Sequence, residues 1–214
     1  MDFRRPSEEA KLPRRAIPFM AGVHYHIYNR GNNRQTVFYK ADDYVLFLRA
    51  LRLYLVGNTQ DLVQNDETPN PTRLVAYCLM PNHYHLLVCP GDSALSHRMQ
   101  LLAISFTKKM NLRHHRVGAL FQSQFKAIAV QDDTYLACLS AYFHLNPVRA
   151  GLVDRPEDWP YSSYPEYLGL RQGLLPSPES VLDQFGSPAA CRQFVGELSD
   201  QQIQNINFLV MEEE

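Results

Sequence analysis

Residues 73–89 read RLVAYCLMPNHYHLLVC. Two runs rich in β-formers, Arg73–Leu79 and His83–Cys89, flank the turn signal Met80-Pro81-Asn82, so the stretch predicts a β-hairpin. Within the second run side chains alternate between faces, which sends His83 and His85 one way and Tyr84 the other.

Working outward, Gly22–Arg30 (GVHYHIYNR) is β-rich and ends at Gly31-Asn32-Asn33, which predicts a first strand. Asp42–Gly57 carries Tyr44, Leu48, Leu51 and Leu55 on a helical stripe, with Gly57-Asn58 as its stop. Asn58–Thr72 is polar, contains prolines and reads as a loop. Ser93–Arg113 predicts a long amphipathic helix with Leu95, Met99, Leu102 and Phe106 on one stripe. Phe125–Val130 predicts a fourth strand. Asp132-Asp133-Thr134 can cap a third helix that runs to about Asn146, before Pro147. Two short helices are expected near Pro178–Phe185 and Pro188–Leu198.

The order β-α-β-β-α-β-α implies an α+β fold: a ferredoxin-like, split βαβ antiparallel sheet with an added helix and a helical C-terminal tail. The usual strand order, 4-1-3-2, places the first and third strands side by side. The expected organisation is an arm over 1–20, a domain over 21–153 and an acidic extension over 154–214 packed on or beside it.

Charge is unevenly spread. Residues 1–153 hold 18 Lys and Arg against 11 Asp and Glu, whereas residues 154–214 hold 3 against 11. A basic body suits a polyanionic ligand, and the tail, ending in Glu212-Glu213-Glu214, is either solvated or a phosphate mimic over that body. No run approaches the ~20 apolar residues of a membrane span. The start, Met1–Pro6, lacks an apolar signal core. Cys78, Cys89, Cys138 and Cys191 form no CxxC pair and read as free thiols. These features lead to the expectation of a cytoplasmic protein with no membrane partner.

Two imidazoles on one strand face can share a divalent cation, or can simply occupy the wetter face of a half-buried strand. His24-Tyr25-His26 has the same spacing as His83-Tyr84-His85, and spacing alone does not separate the pairs. The third helix carries Tyr142 and Asn146 four residues apart, stacked on one face. A phenol beside an amide makes sense if the amide completes a metal site and the phenol attacks a phosphate held there. The plainer reading makes Tyr142 a core aromatic and Asn146 a helix-end residue.

The sequence Cys78–Val88 (CLMPNHYHLLV) resembles the His-hydrophobic-His strand of single-tyrosine HUH transposases. Ala141–Val153 (AYFHLNPVRAGLV) resembles the nucleophile helix of the REP-associated tyrosine transposases in that superfamily, and Tyr28–Gln35 and Gln124–Lys126 follow the same pattern. The resemblance covers about residues 20–170. It implies the ferredoxin-like sheet, a ligand set of His83, His85 and Asn146 for Mg²⁺ or Mn²⁺, and Tyr142 as nucleophile; the 24/26 pair is then the decoy. It further implies nicking and strand transfer on single-stranded, hairpin-containing DNA through a 5′-phosphotyrosine, with no small-molecule substrate. Tyr84 replaces the usual aliphatic residue, on a face expected to pack against helices. Gln124 stands where the family often has Arg.

Arg30, Arg34, Lys108, Lys109, Arg113, Arg116, Lys126 and Arg149 are the expected phosphate contacts. Tyr28, Phe121 and Phe125 are candidates for stacking on unpaired bases. A non-catalytic single-strand-binding module on the same fold is the second reading. A hydrolase acting on a small molecule is the third, disfavoured by the basic body and the lack of an Asp or Glu base near the His pair. A monomer and a homodimer are both compatible with the sequence.

Overall fold

A computed structural model describes residues 18–57, 72–173 and 175–198, with 201, 203 and 206 near the end. The expected loop over Asn58–Thr72, apart from Thr72 itself, the arm up to residue 17 and the acidic end, Glu212–Glu214, lie outside the described residues.

The hairpin forms as expected. Strand β2 (Arg73–Met80) turns through Pro81 and Asn82 into β3 (His83–Cys89), with Met80 paired to His83. β3 also pairs antiparallel with β1 (Tyr25–Arg30), which in turn pairs with β4 (Lys126–Ala129). The sheet order is therefore β2-β3-β1-β4, the arrangement expected from the element order.

Alternation along the strands gives the sheet two apolar faces. Ile27, Leu79, Tyr84, Leu86 and Val88 pack on one side against α1 (Ala41–Leu51, continued by a wider turn to Val56) and α2 (Leu95–Arg113). Tyr84 is buried there, with its ring 4.9 Å from Phe47 and 5.6 Å from Phe121. On the other side, Tyr28, Ala76, Cys78, Met80, Leu87 and Cys89 pack against α3 (Asp133–Arg149). A bulge at Val75 takes up one extra residue in β2, so both flanking stretches keep their alternation.

α3 starts where the sequence predicts: the Asp132 carboxylate accepts the Tyr135 N–H at 2.7 Å. It ends later, because Pro147 lies in its final turn rather than beyond it. Proline forfeits only the bond to the carbonyl four residues back, and bonding resumes from the Ala150 N–H to the Asn146 carbonyl at 3.0 Å. Asn146 is consequently a helical residue, one turn from Tyr142 on the same face.

α3 is buried on nearly every side, which a helix tolerates only between two apolar layers. The tail supplies the second layer, with α4 (Tyr164–Tyr167), α5 (Glu179–Leu182) and α6 (Pro188–Glu197). It also covers the free edge of β2. The Leu79 N–H donates to the Tyr161 carbonyl at 2.9 Å, the Ser163 N–H to the Tyr77 carbonyl at 3.0 Å and the Trp159 indole N–H to the Leu79 carbonyl at 3.0 Å. An open strand edge would otherwise offer those groups to another chain. The four cysteines are free. Among the described residues, no helix is long and apolar enough to cross a membrane.

Asp43 ties α1 to the end of α2. Its buried carboxylate accepts backbone N–H groups from Tyr39 (3.0 Å) and Lys40 (3.1 Å) and faces Arg113 Nη1 (3.0 Å) and His114 Nε2 (3.0 Å). Burial acts to raise its pKa, but the bonds from His114, Arg113 and the two amides outweigh burial and hold it below the usual carboxylate value. Such a group stabilises the fold above its unfolded pKa of ~3.9, and the contribution is lost as pH falls through the lower folded value. Asp43→Asn is therefore expected to cost about 2–3 kcal/mol at pH 7, less than the ~3–5 kcal/mol of a fully buried broken pair because Arg113 is partly solvated. Denaturant unfolding should show the gap to the wild type narrowing below about pH 4.

Candidate active site

β3 and α3 meet on the tail-covered side of the sheet. His83 and His85 project from the same face of β3, with ring centroids 5.0 Å apart. α3 brings Tyr142 across to them, its ring centroid 6.0 Å from that of His85, and Phe143 stacks on His85 at 5.1 Å. Asn146 lies beside the Tyr142 hydroxyl and draws its pKa down. Its buried Nδ2 makes no hydrogen bond of good geometry, so an N–H donor is left unpaired beside the phenol.

Burial pushes His83 down to about 4, with the positive charge of Arg30 adding to the effect. His85 is lowered further, by burial first and then by His83, His26 and Arg30. Both rings are neutral at pH 7, the form in which an imidazole nitrogen can bind a metal. The Tyr142 phenol is raised by burial, against the pull of Asn146, Arg149 and Arg30. Arg30 lies opposite His83 in the strand register, at the mouth of the cluster.

The other His pair is split. His24 sits beyond the start of β1, at the end of the sheet remote from His83, where its carbonyl accepts the Val130 N–H at 2.9 Å. His26 is buried beside His85, with 2.9 Å between His26 Nε2 and His85 Nδ1. The pairing of β1 with β3 explains this. Tyr28 opposes His85, so His26 is the diagonal neighbour on the same face. With the first and third strands as neighbours the two His pairs can meet on one face, but setting the 24/26 pair aside as the decoy discards His26 with it; by sequence Asn82 reads only as a turn residue. The Asn82 Oδ1 stands 2.6 Å from His83 Nδ1. For His26 the deciding signal is the strand register, whereas Asn82 is adjacent to His83 in the chain.

Asn82 also pins the β1–α1 loop. Its carbonyl accepts the Gly31 N–H at 2.7 Å and its Nδ2 donates to the Arg34 carbonyl at 3.2 Å. Asn33 and Arg34 both take left-handed backbone conformations there (φ 51° and 59°). A Cβ on Gly31 would collide with the Gln35 carbonyl, so the tight return requires glycine.

The expected phosphate contacts separate by layer. Arg30 and Arg149 lie close enough to Tyr142 to lower its pKa. Lys126 lies 5.8 Å over the Tyr28 ring, and that ring is 6.3 Å from His85. Arg34 is exposed on the loop above. Arg116 reaches the same loop, donating to the Tyr39 hydroxyl at 2.9 Å with Gln35 Oε1 3.5 Å away. Lys108, Lys109 and Arg113 belong to α2, on the opposite face of the sheet, and Arg113 is paired with Asp43. Gln124 is exposed beside β4. Tyr28 and Phe121 are buried and Phe125 packs on Phe19, so these rings are engaged in the core rather than displayed for bases.

Among the described residues no three His, Cys, Asp or Glu side chains are grouped to hold a metal. The Asn146 side chain, beside Tyr142, offers its amide oxygen as a candidate third donor to His83 and His85. The donor set fits a hard-to-borderline divalent cation.

A model of the IS200-like transposase family matches residues 19–146. A Haemophilus influenzae protein with the provisional name REP-associated tyrosine transposase is 32% identical over 105 residues, covering 44% of this chain and 60% of that protein. The REP-associated tyrosine transposase of Escherichia coli is 26% identical over 108 residues, covering 50% and 61%. The chain thus spans about three-fifths of the length of these curated relatives. A solved structure of a REP-associated tyrosine transposase bound to a REP hairpin shares the fold, with a TM-score of 0.58 at 19% identity, over 75% of this chain and 89% of that one.

Behind Tyr142, α3 is held to the tail. The Ser163 Oγ accepts the Tyr77 N–H at 3.0 Å and lies 3.0 Å from Nε2 of the fully buried His144. Ser163→Ala strands both partners in the core. It is expected to lower stability by about 1–3 kcal/mol, read as a lower denaturant midpoint at unchanged slope.

Proposed function

The chain belongs to the IS200-like transposase family, and from that premise we propose that it is a metal-dependent endonuclease and strand transferase for single-stranded DNA bearing hairpins. The observation that carries this reading is the convergence of His83, His85 and Tyr142 from two elements far apart in the chain. A packed core alone has no need of two neutral imidazoles beside a phenol. The relative of shared fold is bound to a REP hairpin, which supports a hairpin as the DNA form taken here.

His83, His85 and Asn146 would hold Mg²⁺ or Mn²⁺, which when bound neutralises charge on a phosphate and polarises its oxygen. Tyr142 attacks the scissile phosphorus. The Tyr142 oxygen–phosphorus bond forms, the bond from phosphorus to the 3′ oxygen breaks, and that oxygen leaves as a 3′-hydroxyl. The phenolic proton is released to solvent or to the leaving oxygen. The product is a 5′-phosphotyrosine, and the phosphodiester energy it conserves lets a 3′-hydroxyl reverse the step and join strands.

A phenol of pKa ~10 is a weak nucleophile, and burial makes the phenolate harder still to form. Arg30 and Arg149 oppose that, as does the Asn146 amide. The same two arginines, with Lys126 and the loop residues Arg34 and Arg116, are the proposed path for the DNA backbone. Lys108, Lys109 and Arg113, on the far layer, would meet only DNA that wraps around the sheet.

A labelled single-stranded hairpin incubated with the protein and Mn²⁺ or Mg²⁺ is expected to yield a covalent adduct at Tyr142, abolished by chelation. Tyr142→Phe should bind the hairpin within about fivefold of wild type, since a hydroxyl contributes ~1 kcal/mol or less here, yet form no adduct. Should the wild type bind but form no adduct with either metal, the chain is a single-strand-binding module on the same fold.

A further inference from the structure

His26 belongs to neither the proposed ligands nor the nucleophile, yet it is buried in contact with one of the ligands. We infer that His26 is a positioning residue. It accepts the Nδ1–H of His85, so that His85 presents a bare Nε2 to the cation. The inference rests on the reading that His83 and His85 hold that cation.

At the neighbouring ligand the proton can be assigned. Asn82 Nδ2 donates to the Arg34 carbonyl, so the amide is oriented with Oδ1 toward His83 Nδ1, 2.6 Å away. An amide oxygen only accepts, hence Nδ1 of His83 carries the proton and its Nε2 carries the lone pair. At His85 a second side chain stands in the corresponding place. His26 Nε2 lies 2.9 Å from His85 Nδ1, and the two nitrogens share one hydrogen. Each proposed ligand therefore has Nδ1 engaged and Nε2 left for a further partner. Metal-binding histidines are commonly oriented by a partner to the second ring nitrogen in this way.

Placing His26 there also carries a cost. The ring is fully buried, stacked at 4.8 Å on Tyr28 and 4.9 Å from Phe143, and its Nδ1 has no hydrogen-bond partner. An apolar side chain would fill that volume without a buried polar penalty. The imidazole is accounted for if its Nε2 is required as the acceptor. When His85 donates to it, the His26 proton resides on Nδ1, and no charge is created in the core.

Mn²⁺ affinity of the full chain, followed by electron paramagnetic resonance without DNA, tests this. His26→Leu removes the acceptor and is expected to weaken Mn²⁺ binding about 10–100-fold. His26→Gln puts an amide oxygen near the position of Nε2 and should restore binding to within a few fold. His24→Leu, from the pair of identical spacing, should match the wild type. Wild-type affinity in a His26→Leu protein that melts cooperatively overturns the inference. So does an equal loss in His26→Gln, which would assign the effect to volume. Should His26→Leu fail to fold, the nitrogen-15 spectrum of the Mg²⁺-saturated wild type decides: Nδ1–H at His85 is expected, and Nε2–H there overturns the inference. His85→Ala is the separate control, since undiminished Mn²⁺ binding in it refutes the metal site itself rather than the role of His26.

Discussion

A slip of one residue between β3 and β1 would turn His83 and His85 into the α1–α2 core and bring Tyr84 out among the groups facing α3. The register prevents this because both alternations are buried. Tyr84, Leu86 and Val88 fill one apolar layer and Leu87 and Cys89 the other, so a slip would misplace every one of them. The two-residue turn at Pro81 and Asn82 adds a second restraint. Its carbonyls accept N–H groups from Gly31, Val37 and Phe38, which locks the hairpin to the loop after β1.

From that register follows the cluster. Tyr28 opposes His85 and Arg30 opposes His83, so β1 contributes a cation at the mouth and an imidazole behind. α3 lies across the same face because the tail gives it a second apolar layer. The tail in turn attaches along β2, where the edge of the sheet has backbone groups to satisfy. The segment that covers an otherwise open edge is thus the same one that presses the Tyr142 helix onto the sheet.

The electrostatics of the cluster derive from this burial. Three imidazoles are buried among aromatic rings, and burial lowers the pKa of each, so all remain neutral at pH 7. The phenol pays for the same burial with a raised pKa, and the arginines at the rim offset part of it. A site of this kind favours an anion that brings its own charge to meet Arg30 and Arg149.

Much of the fold was legible in local pattern. The hairpin at 73–89, the helical stripes and the facing of Tyr84 opposite to the His pair all come from periods of two and 3.6 residues, and the Asp132 cap from residue type. The spacing of Tyr142 and Asn146 likewise placed them on one helix face, although the helix runs on through Pro147 because a final turn can spare one bond. Local pattern could not distinguish His24-Tyr25-His26 from His83-Tyr84-His85, since both alternate identically. Nor could it separate Arg30 and Arg149, at the phenol, from Lys108 and Lys109 on the far layer. Those distinctions depend on which strand positions oppose one another and which helix covers which face. The burial of whole faces sets both, between residues remote in the chain, and so only the tertiary structure divides one His pair and gathers the other beside Tyr142.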